Sequence, residues 1–139
     1  MYLALTVPAL EDKLVQLAAA KILGAIFEQD FLSCSWGYRP EIGALDAVKD
    51  ITKTLMTGKF GYIVDADITG FFDNINHEWM VEMLELRIND KAFIRLIKKW
   101  LKAGILDDNK VMHPVKGTPQ GGIVSPVLSN IYLNFVEFQ

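Results

Sequence analysis

The chain has almost no cysteine. Cys34 stands alone among 139 residues, which excludes an internal disulfide framework and a cysteine-built zinc site. No apolar run approaches the ~20 residues that span a bilayer, so no membrane association is expected. The N-terminus lacks a basic segment followed by an apolar stretch and a small-residue cleavage site, and no signal peptide is expected. These absences point to an intracellular, cytoplasmic protein. Positive charge is also short, with 14 Lys and Arg against 17 Asp and Glu and a net charge of −3. Phosphate contact normally shows as a basic patch, so a nucleic-acid partner requires a local one. Internal repeats, low-complexity segments and linkers are missing too. With 51% hydrophobic residues the chain is of globular type, and its length suits one domain or a piece of a larger one.

One stretch organises what is present. Tyr62-Ile63-Val64-Asp65-Ala66-Asp67-Ile68-Thr69-Gly70-Phe71-Phe72-Asp73 begins as an alternating aromatic and β-branched run. The alternation predicts a strand over 60–67. Phe60, Tyr62, Val64 and Ala66 share one face; Gly61, Ile63, Asp65 and Asp67 share the other. Two carboxylates at the far end of one face need a cation, a hydrogen-bond network or water, because burying an unpartnered charge is costly. A hard cation such as Mg²⁺ takes oxygen ligands, and an Asp beside the Thr69-Gly70 turn can supply one. A solvated strand end with Asp73 as a helix cap accounts for the same residues.

Helical spacing surrounds this strand. Over 11–28, Leu14, Leu17, Ala18, Ile22, Ala25 and Ile26 are expected to face inward, and over 42–56 Leu45, Val48, Ile51, Thr52 and Leu55. Between them, 31–40 is an aromatic loop punctuated by Gly37 and Pro40. Asn76 and Asn89-Asp90 open two further helices, with Trp79, Met83 and Leu86 inward in the first. Phe93, Ile94, Ile97, Trp100 and Leu101 form the stripe of the second. Its other face repeats Lys91, Arg95, Lys98 and Lys102 at three- and four-residue spacing. That face is either the missing basic patch or a solvated surface. A short strand is expected over 110–115, and Ser125-Pro126 opens a last helix.

The second informative stretch is Lys116-Gly117-Thr118-Pro119-Gln120-Gly121-Gly122-Ile123-Val124-Ser125-Pro126. Glycines let a base pair or sugar approach the backbone, and helix-start N–H groups favour an anion. Taken alone, it is also an ordinary turn. Together the two stretches closely resemble the reverse transcriptases encoded by group II introns. The likeness continues through Val7-Pro8-Ala9-Leu10-Glu11-Asp12-Lys13-Leu14-Val15-Gln16, through Phe31 with Ser35-Trp36-Gly37-Tyr38-Arg39-Pro40, and through Asn74-Ile75-Asn76-His77. Arg87-Ile88-Asn89-Asp90 and Asn130-Ile131-Tyr132-Leu133-Asn134 complete it, in the family's order.

This resemblance implies an α+β fold. It would be the fingers and partial palm of a right-hand polymerase, with helices packed on a small antiparallel sheet, truncated before the second catalytic motif. Residues 1–58 would be a fingers portion and 59–139 a palm portion with inserted fingers helices. The implied reaction is RNA-directed DNA synthesis by two Mg²⁺ ions, with associated intron splicing and mobility. RNA template, DNA primer, deoxynucleoside triphosphates and intron RNA are the implied partners. By resemblance Asp67 is the catalytic metal ligand, joined by the backbone carbonyl of Ile68. Phe72 sits beneath the nucleotide sugar, Gln120 and Gly121 lie against the incoming nucleotide, and Arg39 meets template phosphate or triphosphate. Asp65, Asp73 and His77 are expected to be structural, and Tyr132 and Asn130 to pack their helix.

The chain departs from the family pattern in ways that bear on activity. The family's later motif of an aromatic residue and two adjacent aspartates is absent, as are the thumb and maturase regions. The arginine expected before Val7 is replaced by Tyr2-Leu3-Ala4-Leu5-Thr6. A fragment is therefore expected, inactive alone and prone to self-association. A retron, diversity-generating or CRISPR-associated reverse transcriptase, or a non-catalytic RNA-binding or interaction remnant, are the competing expectations.

Overall fold

A computed structural model of the chain describes residues 9–102, 105–107, 110–112, 116–118 and 122–136. In order these form α1 (Leu10–Phe27), α2 (Ala44–Thr57), the single turn α3 (Phe71–Asn74), α4 (His77–Glu85), α5 (Lys91–Leu101), the short strands β1 (Ile105–Asp107) and β2 (Lys110–Met112), and α6 (Ser125–Val136). Expectations for 1–8, Ala103, Gly104, Asp108, 113–115 and Phe138 lie outside the described residues.

Capping fixes where two helices start. The Asn76 side chain accepts hydrogen bonds from the N–H groups of Glu78 and Trp79, and the Asp90 side chain from those of Ala92 and Phe93. Each cap satisfies donors that have no partner inside the helix, typically a gain of about 1 kcal/mol. α4 packs on α5 and α6, and α1 packs on α6. The core lies where these four helices meet. Leu23 and Phe27 come from α1, Met80 and Leu84 from α4, Ile97 and Leu101 from α5, and Leu128 and Ile131 from α6. Full burial of each such side chain contributes roughly 1.5–3 kcal/mol. α6 is the hub, with Ser129, Asn130, Tyr132 and Asn134 also buried.

Five expectations need correction. Among the described residues the α+β arrangement of helices on a small antiparallel sheet does not form; the helices pack on one another. Among the described residues the one ladder is the three-residue antiparallel pairing of β1 with β2, Ile105 opposite Met112 and Asp107 opposite Lys110. The stretch 60–67 is not a strand: no described segment pairs with it, and Tyr62 is 93% exposed. Alternation makes a segment suitable for a sheet, but a ladder needs a partner backbone and a covered face. The inward face of α1 is Gln16, Ala19, Leu23 and Phe27, while Leu14, Leu17 and Ile22 face solvent. In α4, Met80, Val81 and Leu84 are buried and Trp79 and Leu86 are exposed. α1 has apolar residues on most of its circumference, so spacing alone did not select the buried side.

α2 is correct as a helix and wrong as a core element. Among the described residues it buries no side chain, and Leu45 is 76% exposed. Its start is held electrostatically. Lys49 donates to Asp46, and the Gly43 N–H donates back to the same carboxyl; both hold Asp46 below the usual carboxylate range. Leu45, Val48, Ile51 and Leu55 on α2, together with Phe60, Tyr62, Ile63 and Val64, leave much apolar surface in water. Such surface drives association. The isolated chain is therefore expected to self-associate or to be only marginally stable. Sedimentation at several concentrations checks this. A concentration-independent monomer melting cooperatively well above ~65 °C would contradict it.

Candidate functional site

The chain leaves the exposed segment 60–68 through a sharp turn. Gly70 takes φ +62, a left-handed conformation suited to a residue without Cβ. Asn74 donates its side-chain amide to the Gly70 carbonyl and closes the turn over α3. This bend brings Ala66, Asp67, Ile68, Gly70, Phe71, Phe72, Asp73 and Leu133 around one open cavity of about 500 Å³. Asp67 and Ile68 are both exposed there. Phe71 contacts Tyr132 edge-on at 6.2 Å and leans on the core, while Phe72 meets Phe71 edge-on at 5.7 Å.

A second backbone segment is stitched to this turn. The Thr118 N–H donates to the Phe72 carbonyl and the Gly117 N–H to the Ile75 carbonyl, each at 2.8 Å. Asn76 and Lys116 form an antiparallel bridge beside them. Gly117 adopts φ +92, and a Cβ there would lie 2.8 Å from the Phe72 carbonyl oxygen and 2.9 Å from the Asp73 Cα. Only glycine allows the two backbones so close. His77, at the start of α4, reaches the Gly117 carbonyl through Nε2. Further along, the Ile123 N–H donates to the Gln16 side-chain carbonyl on α1 at 2.9 Å.

The other expected site residues fall differently. Gln120 and Gly121 lie outside the described residues. Arg39 is turned inward. Its Nε and Nη2 donate to Glu28, its Nη1 donates to the carbonyls of Leu32 and Ser35, and its guanidinium stacks over the Phe31 ring at 5.4 Å. All three guanidinium nitrogens thus have internal partners, so Arg39 acts as a clamp on the 31–40 loop in this conformation. Asn130 ties the same loop to α6 by donating to the Gly37 carbonyl. Gln16 was missed by reading the sequence. A polar residue at the head of the buried series Gln16, Ala19, Leu23, Phe27 was the available signal.

The cavity offers oxygen donors suited to a hard cation, the Asp67 carboxylate and the Ile68 carbonyl. Among the described residues no three His, Cys, Asp or Glu side chains converge to hold a metal ion. The described donors suit one edge of a metal site and do not by themselves make a two-ion site. The Lys91, Arg95 and Lys102 side chains on α5 are exposed to solvent, and Lys98 approaches Glu85 at 3.7 Å. Among the described residues no helix is long and apolar enough to cross a membrane.

Residues 3–139 match the family model described as reverse transcriptase (RNA-dependent DNA polymerase). The chain is 42% identical over 133 residues to the group II intron-encoded protein LtrA of Lactococcus lactis subsp. cremoris, covering 96% of this chain and 22% of that protein. It is 42% identical over 133 residues to an uncharacterized 91 kDa protein in the cob intron of Schizosaccharomyces pombe, covering 96% of this chain and 16% of that protein. It is 35% identical over 133 residues to protein YkfC of Escherichia coli, covering 94% and 35%. The chain thus spans between about a sixth and about a third of the length of these relatives.

Two outcomes follow from this geometry. Gly117→Ala is expected to cost about 2 kcal/mol or more, from a strained positive φ and a backbone clash, read as a melting temperature lower by several degrees. An unchanged melting temperature would show that the 116–118 segment is not held against the turn. Mn²⁺ titrated into the chain is expected to broaden the Asp67 NMR signals weakly and without saturation at micromolar levels. Saturable micromolar binding lost in Asp67→Ala would reveal a more complete metal site.

Proposed function

The chain belongs to the reverse transcriptase family, and from that premise we propose that it supplies fingers and palm elements of an RNA-directed DNA polymerase encoded by a group II intron. Residues 1–58 are the fingers portion, and 59–139 the palm portion with inserted fingers helices. The observation that supports this most is the single cavity lined by Asp67, Ile68 and Phe72, with the segment leading to Gln120 bonded to the Phe72 carbonyl. An acid, a ring and the loop assigned to the nucleotide are thereby tied to one turn. The names of the similar proteins favour the intron branch over retron, diversity-generating or CRISPR-associated enzymes. RNA template, DNA primer, deoxynucleotides and intron RNA are its partners in the whole protein, with splicing and mobility of the intron as associated roles. The reaction places it inside the cell.

Asp67 and the Ile68 carbonyl would be the residues of this chain that hold a Mg²⁺ ion. Its remaining oxygen ligands would come from outside the described residues and from substrate phosphates, as is usual for this cation. The bound ion supplies charge stabilisation at the phosphate being transferred. The chain's own part is positional: the Gly70 bend presents the acid beside the ring, and the ring excludes bulk at one side of the sugar. Arg39, bound internally, serves substrate by holding the 31–40 loop. A second reading, a non-catalytic remnant acting as an RNA-binding or interaction module, is favoured by the net charge of −3 and by the lack, among the described residues, of three converging side chains able to hold a metal ion.

The deciding experiment is sugar selection in the intact protein. Phe71 is the ring engaged with Tyr132, which leaves Phe72 for the nucleotide. A ring beneath the sugar leaves room for hydrogen at the 2′ position and none for hydroxyl. Phe72→Val is expected to raise ribonucleotide incorporation strongly while deoxynucleotide incorporation falls modestly. Asp67→Ala is expected to abolish both. The measurement is the ratio of specificity constants for a ribonucleotide and its deoxy counterpart. If Phe72 only packs, both constants fall together through a loss of roughly 1–3 kcal/mol and the ratio stays fixed, which would sink the assignment. A wild-type protein that extends no primer would favour the non-catalytic module.

A further inference from the structure

The Phe72 ring stands on a backbone that is held from two sides. Among the described residues Phe71 packs on the core, while half-buried Phe72 meets Phe71 edge-on. On the near side, the Asn74 side chain and the Asp73 N–H both donate to the Gly70 carbonyl. On the far side, the Thr118 N–H donates to the Phe72 carbonyl, and Thr118 is 5% exposed. A hydrogen bond sheltered from water in this way is not readily exchanged for one to solvent. Beside it, the Gly117 N–H donates to the Ile75 carbonyl, and Gly117 lies directly against the backbone of Phe72 and Asp73. One side chain holds this support in turn. His77 Nε2 meets the Gly117 carbonyl from 40 positions away. A carbonyl oxygen only accepts, so Nε2 carries the hydrogen. α4 does not need the contact, because Asn76 already caps it through the N–H groups of Glu78 and Trp79. His77 is not among the residues that line the cavity.

We infer that His77 is a positioning residue for sugar selection, acting on Phe72 through Gly117 and Thr118. The inference rests on the proposed function, in which Phe72 is the ring beneath the nucleotide sugar. The path is short. His77 fixes the Gly117 carbonyl, and the adjoining Thr118 N–H fixes the Phe72 carbonyl. Without the imidazole donor, segment 116–118 keeps its two backbone bonds but loses the side-chain contact that stops it from drawing away. The Phe72 backbone then gains the same freedom. A steric gate that admits hydrogen and refuses hydroxyl separates groups differing by one oxygen atom. A small retreat of the ring therefore relaxes the choice, since the placement of groups around a substrate tolerates little error. Asp67 stands on the other side of the Gly70 bend, so the chemistry itself is retained.

Two substitutions of one shape separate the donor from the bulk. His77→Gln keeps an N–H donor, and His77→Glu has none. An acid at the first position of α4 suits the positive end of the helix, so His77→Glu is expected to fold. In the chain itself, His77→Glu is expected to speed amide exchange at Gly117 and Thr118 about tenfold, with His77→Gln near wild type. In the intact protein, the readout is the ratio of specificity constants for a ribonucleotide and its deoxy counterpart. His77→Glu is expected to raise that ratio about fivefold and to change it less than about twofold in a Phe72→Val background, because residues that act through one another are not additive. His77→Gln is expected to keep the wild-type ratio. A loss of folded protein lowers both constants together and leaves the ratio unmoved. Unchanged exchange at Gly117 and Thr118 in His77→Glu would overturn the inference. So would an unchanged ratio in His77→Glu where Phe72→Val alone raises it, since His77 would then serve the fold only. An equal rise in both backgrounds would overturn it as well, because the effect would not pass through Phe72. If His77→Glu does not fold, His77→Phe, a ring without a donor, takes its place with the same outcomes. Failure of the proposed function is seen separately, as a wild-type protein that extends no primer or an unchanged ratio in Phe72→Val alone; either removes the gate and the inference with it.

Discussion

The close approach of two backbones at Gly117 is the constraint on which the site depends. Segment 116–118 lies against 72–76 because one position has no side chain and because the amides of Gly117 and Thr118 meet the carbonyls of Ile75 and Phe72. Buried backbone groups need partners, and here each segment satisfies the other. α3 is a single turn and could not hold its own shape through internal bonds, since one turn of helix is not stable alone. It is fixed by Asn74 closing on Gly70 and by the 116–118 segment behind it. The cavity wall of Phe71, Phe72 and Asp73 is thus built from tertiary contacts rather than local propensity.

That dependence explains which parts of the fold were legible in the sequence. The starts of α4 and α5 were readable because Asn76 and Asp90 act on neighbours two and three residues away. The stripe of α5 was readable because Ile94, Ile97, Trp100 and Leu101 contrast with a charged opposite face. α1 offers no such contrast. Its buried face contains Gln16, and leucines and isoleucine occupy the wet one. The alternation over 60–67 described a segment suited to a sheet, but pairing is a property of two segments and could not be read from one. The carbonyl contact of His77 was likewise invisible, since its partner lies 40 positions away.

The candidate site was legible in a different measure. Asp67, Ile68 and Phe72 were singled out together and meet around one cavity. Arg39 was expected at substrate and instead spends its donors on Glu28, Leu32 and Ser35. The sequence shows a cation in a loop but not where its fork points. Guanidinium geometry suits a carboxylate as well as a phosphate, and Glu28 at the end of α1 is the nearer claimant.

The chain divides physically into a packed half and an open one, and Asp67 stands at their border. α1, α4, α5 and α6 enclose a core in which Leu23, Phe27, Met80, Leu84, Ile97 and Ile131 are sealed from water. α2 and the segment 60–68 enclose nothing among the described residues. A carboxylate without a charged partner is tolerable only where water reaches it, which is the condition Asp67 meets. One residue after Thr69, the chain bends at Gly70 into the stitched region, where position is set by hydrogen bonds and by the absence of a Cβ. The metal-ligand role proposed for Asp67 requires a charge left available for the ion close to a backbone that is held in place. The sequence achieves this by ending an open segment directly on a fixed turn, so that the acid keeps its hydration while the ring five residues later keeps its place.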